Sequence, residues 1–229
     1  AGAVLAVVFG LWAGVRVYSS REAAPVAHRQ ATVHVPAGEA SPPTESDLNG
    51  EFDPAVPIPV KIPDRLPEFS LSNPAGRATP ISTWAGKSLV LNFWATWCAP
   101  CRREIPLLKS LNSEWSDRGV AVVGVAVDYR DKVVAYADEL KIAYPLLIGE
   151  QDALDVATQL GVDTPVFPFT VFTDRRGEVV ALYLGELHRA QADLILSVVQ
   201  RLNDNRVELA AARQTIAQGL HALAANNPG

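Results

Sequence analysis

The 229-residue chain contains no methionine, only two cysteines and only four histidines. So small a set of soft and imidazole ligands argues against a four-ligand structural zinc site: His28, His34, His188 and His221 all lie far from both cysteines in sequence, and only folding could gather them. A basic excess is also missing. With a formal net charge of -5, the chain lacks the electrostatic footprint of a phosphate-binding surface, and nucleic acid is set aside as a partner. No internal repeat is visible. What the chain has in quantity is apolar residues, 48% of the total. That is enough to bury a core without help from a metal or a disulfide, most simply as one domain with tails.

The first 15 residues, AGAVLAVVFGLWAGV, are apolar and uncharged, and Arg16, Tyr18 and Arg21 come after them. A spanning helix needs about 20 residues, a length approached once Val17 and Tyr18 are added and Arg16 snorkels toward the interface. Residues 1–20 are therefore read as a membrane anchor or signal segment. A retained signal-anchor and a cleaved signal peptide are the two targeting readings, both of which export the rest of the chain, and a buried globular helix is the plainer alternative. The lack of any methionine points to residues upstream of Ala1. Arg16 and Arg21 run against the positive-inside rule unless that upstream start carries charges of its own. Residues 21–62 are rich in proline and carry no long apolar period, so ordering them would not be repaid by burial. This segment reads as an extended, semi-stiff tether, with His28 and His34 as solvated linker residues.

From residue 63 the pattern alternates. SLVLNFWA (88–95) and VAVVGVAV (120–127) are nearly continuous apolar runs, as expected for strands covered on both faces. FTVFT (169–173) and EVVALYLG (178–185) form two more, joined by a turn ending in Arg176-Gly177 that suits a hairpin. Helical patterns span 99–118, 131–140, 152–160 and 190–202. A further amphipathic helix is expected from Arg206, with Ile216, Leu220 and Leu223 at helical spacing, after the cap-rich break Asn203-Asp204-Asn205. The expected fold class is α/β, a mixed sheet sandwiched by helices. The expected domain is 63–203, with 204–229 as a C-terminal helical extension.

Both cysteines lie in WATWCAPCRRE (94–104), at a junction from strand to helix. Pro100 suits the first helical turn, where no intrahelical acceptor exists for an N–H. The unsatisfied N–H groups and the positive end of the helix dipole favour a thiolate on Cys98, and Arg102 and Arg103 are expected to add cationic character. Cys101 comes one turn later, within reach of a disulfide after a small backbone adjustment, and is the natural resolving thiol. Closing so short a loop constrains the unfolded chain little, so a stabilising staple is the poorer reading and reactivity the better one. Metal handling by the pair and an inert structural bond are the alternatives.

NFWATWCAPCRREIP (92–106) resembles the active-site segment of the thioredoxin superfamily, in particular the membrane-anchored TlpA/ResA-type thiol-disulfide oxidoreductases. The resemblance extends over residues 64–202, with FPFTVFTDRRGEVV (167–180) in register. It implies a thioredoxin fold with extra N-terminal strands ahead of residue 88. It further implies that Pro168 is a cis-proline facing the cysteine pair, that Phe167 offers its backbone to an incoming peptide, and that Pro106 kinks the helix. Without the family, TPVFPFT is a proline-rich loop in which Pro165 competes with Pro168. Asn92 stands where plain thioredoxins carry a buried acid and cannot accept a proton. Glu104 resembles the active-site glutamate of ResA-like members and is the candidate proton relay, against the plainer reading of an acid placed favourably in a first helical turn. Trp97 and Pro100 join Phe167 and Pro168 in the expected substrate-binding surface, Trp94 is assigned to the core and His188 to the surface.

The expected activity is exported, membrane-tethered thiol-disulfide exchange with protein substrates, with Cys98 attacking, Cys101 resolving and Glu104 assisting. No bound cofactor or metal is required. The family analogy implies a reductant, serving cytochrome c maturation or a copper-site cysteine pair and recharged by a membrane electron donor. The same residues can run as an oxidant. A Cu(I)-binding metallochaperone is the rival from another class, since two thiolates suit Cu(I), though the missing methionine and the lack of a nearby histidine weaken it. A peroxidase is weaker still, because nothing resembles a peroxidatic cysteine motif apart from the shared fold.

Overall fold

The computed structural model describes residues 62–164 and 166–226, all within the compact unit that begins at Pro54. The anticipated anchor, the tether with His28 and His34, and Pro165 lie outside the described residues. Seven strands form one sheet: β1 (Ser70–Ser72), β2 (Ala78–Pro80), β3 (Ser88–Trp94), β4 (Val120–Val127), β5 (Leu146–Gly149), β6 (Phe169–Thr173) and β7 (Val179–Leu184). Their spatial order is β2-β1-β5-β4-β3-β6-β7. Five α-helices accompany them: α1 (Ala99–Trp115), α2 (Arg130–Glu139), α3 (Gln151–Gln159), α4 (Arg189–Asn203) and α5 (Leu209–Asn226).

The central strands are apolar throughout because both of their faces are covered. Every residue of β3 and of β4 is buried. Side chains alternate along a strand, so Val90 and Trp94 join a core with α1, α4 and α5, while Leu91 and Phe93 join a second core with α3. Asn92 points with Val90 and Trp94 into the first. Parallel neighbours require crossovers, and α1 and α2 supply them for the β3/β4 and β4/β5 pairs. The β6/β7 hairpin closes the other side antiparallel. Its turn is organised by buried Asp174, whose Oδ1 accepts from the amides of Arg176 and Glu178, and Gly177 takes the positive φ of 78° that the turn needs.

The expected mixed sheet flanked by helices, with an extra C-terminal helix, is what the chain forms. Element ends differ by a few residues: α1 stops at Trp115 before a short 3-10 turn, and the last helix begins at Leu209 rather than Arg206. Strand β5 is an addition to the expected elements, because four apolar residues between Pro145 and Glu150 carry too little periodicity to announce a strand. The extra N-terminal strands are β1 and β2, short, antiparallel to each other and added to the outer side of β5 through Ser72 and Ile148. Helix α5 shares the domain core, burying Ala212 and Ile216. It also covers an edge. The β7 carbonyl of Val179 accepts from the Arg213 guanidinium at 2.7 and 3.0 Å, while the Val179 amide donates to the Asp64 carbonyl, so part of this outer strand is closed to further pairing.

Gly124, opposite Asn92 in the β3/β4 register, leaves room for the Trp94 and Tyr144 rings. A Cβ there would lie 2.7 Å from Leu146 Cδ2, 3.0 Å from the Trp94 indole nitrogen and 3.1 Å from Tyr144 Cε2. Gly124→Ala is expected to destabilise the domain by about 1–3 kcal/mol through overpacking. Urea denaturation measures this, and an unchanged midpoint would show that the Trp94 and Tyr144 rings can move aside.

Candidate active site

Cys98 immediately precedes α1 with an extended backbone, and its Sγ accepts a hydrogen bond from the Cys101 amide at 3.3 Å. A sulfur thus stands where a serine or aspartate oxygen commonly satisfies an orphan N–H of the first turn. Cys98 and Cys101 form a disulfide, their Cα atoms 5.3 Å apart. The two sulfurs are not equally reachable: Cys98 is 5% exposed and Cys101 is 0% exposed. Pro100 lies in the first turn, and α1 runs on through Pro106 to Trp115.

The arginines do something other than expected. Arg103 donates to the Glu186 carboxylate, and Arg102 lies over the Tyr136 ring at 5.9 Å. Their charges are engaged there, and the polar partner of the Cys98 sulfur is a backbone amide.

Around the disulfide, aromatic rings run from solvent into the core. Trp97 is 67% exposed and meets Phe167 edge-on, their centroids 6.0 Å apart. Phe167 stacks on Phe169, and Phe169 stacks on Phe93 at 4.3 Å. The Phe167–Pro168 peptide bond is cis, and the Pro168 carbonyl accepts from the Gly185 amide at 2.8 Å. Phe167 packs against the core cluster that contains both cysteines. Trp94 is fully buried in that cluster, and His188 is exposed at the start of α4.

Glu104 sits one helical turn beyond Cys101 and is 1% exposed. Its Oε1 accepts from Asn92 Nδ2 at 2.7 Å, and its Oε2 accepts from the Leu187 amide at 2.8 Å. Asn92 Nδ2 also donates to Thr170 Oγ1 at 3.0 Å, which ties β3, β6 and α1 together beneath the disulfide. Burial pushes the Glu104 carboxyl up to about 7, against the opposing pull of the Leu187 and Asn92 donors, and the nearby Glu186 adds to the rise. Tyr144 and Tyr183 have raised pKa values, mainly from burial and further from the Glu104 charge. Buried Asn92 Oδ1, Trp94 Nε1 and Tyr144 Oη have no hydrogen-bond partner.

The sequence did not reveal Thr170, Leu187, Tyr144, Tyr183, Thr96 or Asp128. Leu187 acts through its backbone and leaves no mark in the sequence. Asp128 did leave one, as an acid directly after an apolar strand, where sites of α/β sheets gather. It is buried and accepts from the Thr96 amide and hydroxyl. Among the described residues, no group of three or more His, Cys, Asp or Glu could hold a metal ion, and no helix is long and apolar enough to cross a membrane.

The AhpC/TSA family model matches residues 62–184. A thiol-disulfide oxidoreductase ResA of Geobacillus thermodenitrificans is 32% identical over 129 residues, covering 56% of this chain and 72% of the relative. A thioredoxin-family thiol:disulfide interchange protein of Chlorobium tepidum superposes with a TM-score of 0.54 at 28% identity, covering 60% of this chain and 97% of its own. A secreted thiol-disulfide isomerase of Corynebacterium glutamicum does so with a TM-score of 0.54 at 27% identity, covering 61% and 85%.

The raised Glu104 carboxyl links stability to pH. Between its ordinary value of 4.5 and about 7, the folded state keeps a proton that the unfolded chain has released. Stability is therefore greatest toward the acid end of this window and is lost as pH rises through 7, by up to about 3 kcal/mol. Glu104→Gln is expected to remove that fall. Urea titrations of the oxidised protein across the window measure it, and an equal slope in the variant would show that another group is responsible.

Proposed function

Since the chain belongs to the AhpC/TSA family and is a ResA/TlpA-like thiol-disulfide oxidoreductase of the thioredoxin superfamily, we propose that it reduces disulfides of protein substrates outside the cytoplasm. The observation that carries this reading is the Cys98–Cys101 disulfide at the head of α1, with Cys98 narrowly open to solvent at 5% exposure and Cys101 fully sealed beneath it.

In the reduced protein the Cys98 thiolate attacks one sulfur of a substrate disulfide. The substrate S–S bond breaks, a Cys98–substrate bond forms and the first substrate thiolate leaves. Cys101 then attacks Cys98 Sγ, releasing the second thiolate and closing the internal disulfide. Two electrons pass to the substrate, and the protons lost by the two cysteines end on the two product thiols. Cys101 has no access to water, so its proton needs an internal acceptor. Glu104 fills that role, one turn away and with a carboxyl that titrates near 7. Trp97, Pro100, Phe167 and Pro168 form the surface on which the substrate peptide lies.

An extracytoplasmic site of action is supported by the apolar leader and by the likeness to a protein described as secreted. Tethering by residues 1–20, recharging by a membrane electron donor, and clients in cytochrome c maturation or copper-site assembly extend the same reading. Direction depends on potential: a couple more reducing than its clients runs as a reductant, and a more oxidising one would run in reverse.

Cys98→Ser is expected to abolish exchange. Cys101→Ser is expected to accumulate a mixed disulfide with the client, identifiable after non-reducing electrophoresis. The reduction potential of the couple, measured with and without Cu(I), is expected to be low and unmoved by copper. Tight copper binding by the dithiol, or a potential on the oxidising side of the clients, would overturn the reductase reading.

A further inference from the structure

We propose that Asp128 is a positioning residue of the redox loop. Through Thr96 it fixes the turn that projects Trp97 into solvent and seats Cys98 on α1, and so it sets how a protein substrate docks. This rests on the reading of the chain as a thiol-disulfide oxidoreductase and adds to it a residue outside the cysteine motif.

Residues 95–98 are closed into a turn by a hydrogen bond from the Cys98 amide to the Ala95 carbonyl at 3.2 Å. Thr96 and Trp97 are therefore the two central residues of a four-residue turn, and Cys98 is its last. A turn held by one weak backbone bond leaves its corners free to tilt. Here the first corner is held by a side chain. Asp128 Oδ2 accepts from the Thr96 amide at 3.3 Å and also from the Thr96 hydroxyl.

The carboxylate is itself held from behind. Its Oδ1 accepts from the Tyr129 amide at 2.8 Å, and Lys132 Nζ approaches to 4.0 Å. The Asp128 amide donates to the Gly149 carbonyl at the end of the β4/β5 ladder. The anchor is thus a strand of the central sheet, and hydrogen bonds to a charged group are stronger than neutral ones.

Position decides what this does. Thr96 contacts Asp128, and its neighbour Trp97 carries the consequence: a ring 67% exposed, edge-on to Phe167. Phe167 precedes the cis-proline, so the clamp fixes one wall of the docking surface against the other. Asp128 is 8% exposed. A neutral side chain would serve packing alone, whereas two backbone amides, a hydroxyl and a lysine converging on one carboxylate are a device for holding a backbone.

The test uses DTT-driven reduction of insulin as the protein-disulfide probe. Thr96→Val and Asp128→Asn are expected to raise KM roughly tenfold, the loss of about one charge-assisted hydrogen bond, with kcat within about twofold. Thr96→Ser keeps the hydroxyl and is expected to restore the wild-type KM. In a Trp97→Ala background the Thr96→Val change is expected to add no further rise, because the clamp acts through that ring. A fall in kcat with KM unchanged, or additive effects in the Trp97→Ala background, would overturn the proposal. So would a folded Thr96→Val protein with wild-type KM, folding being checked by circular dichroism. Failure of the wild-type chain itself to reduce insulin would instead overturn the underlying oxidoreductase reading.

Discussion

A helix that starts at the surface end of a buried strand has four amide donors without partners, and this chain answers one of them with sulfur. The Cys98 Sγ caps α1 by accepting from the Cys101 amide, so the atom that finishes the helix is also the atom placed for chemistry. The rest of the site depends on that coincidence. Strand β3 must be covered on both faces to hold the junction still, which requires the continuous apolar runs of β3 and β4. Cys101 must fall inside the first turn, where it is sealed from water. The proline between the cysteines is tolerated because its missing N–H would have had no acceptor.

Sealing Cys101 imposes a second constraint. A thiol without access to solvent cannot exchange its proton with water, and the residue beneath it is a carboxyl whose partners are neutral: an asparagine amide and a backbone N–H. A cation in that place would have lowered the Glu104 pKa and made its carboxylate too weak a base for the proton-accepting role proposed for it near neutrality. Neutral donors in an apolar setting leave it divided between forms close to pH 7. The same burial accounts for Gly124, because the Trp94 and Tyr144 rings fill the space that a side chain would have taken. The fold tolerates an ill-solvated acid and, close to it, the unpartnered buried atoms Asn92 Oδ1, Trp94 Nε1 and Tyr144 Oη, a local inconsistency of the kind that gathers at working sites.

The central strands, the hairpin and the cysteine junction were legible in the sequence because each has a strong local signature: long apolar runs, an Arg-Gly turn, and two cysteines three apart. Strand β5 was not, since four residues pinned between β1 and β4 are made a strand by their neighbours rather than by their own pattern. Glu104 was visible as a candidate, but its burial was not, because its neighbours Asn92, Thr170 and Leu187 come from three separate segments. Arg102 and Arg103 show the converse error. Adjacent cations suggested help for Cys98, and the fold turns one to Glu186 and the other to an aromatic face. Sequence proximity on a helix does not decide which way a long side chain leaves it.

The aromatic rings connect these constraints to recognition. From Phe93 in the second core through Phe169 and Phe167 to Trp97, each ring packs against the next, so the proposed docking surface is an outward continuation of the packed interior. A flexible loop around a reactive sulfur would have to be ordered anew by each client, at an entropic cost that subtracts from affinity. Here the order is already present: one wall leans on stacked phenylalanines, and the other is tied to the sheet through Thr96 and Asp128. A preformed apolar surface beside a disulfide is tolerant of side-chain identity, which agrees with the proposed exchange with protein disulfides, where the bond itself is the shared feature.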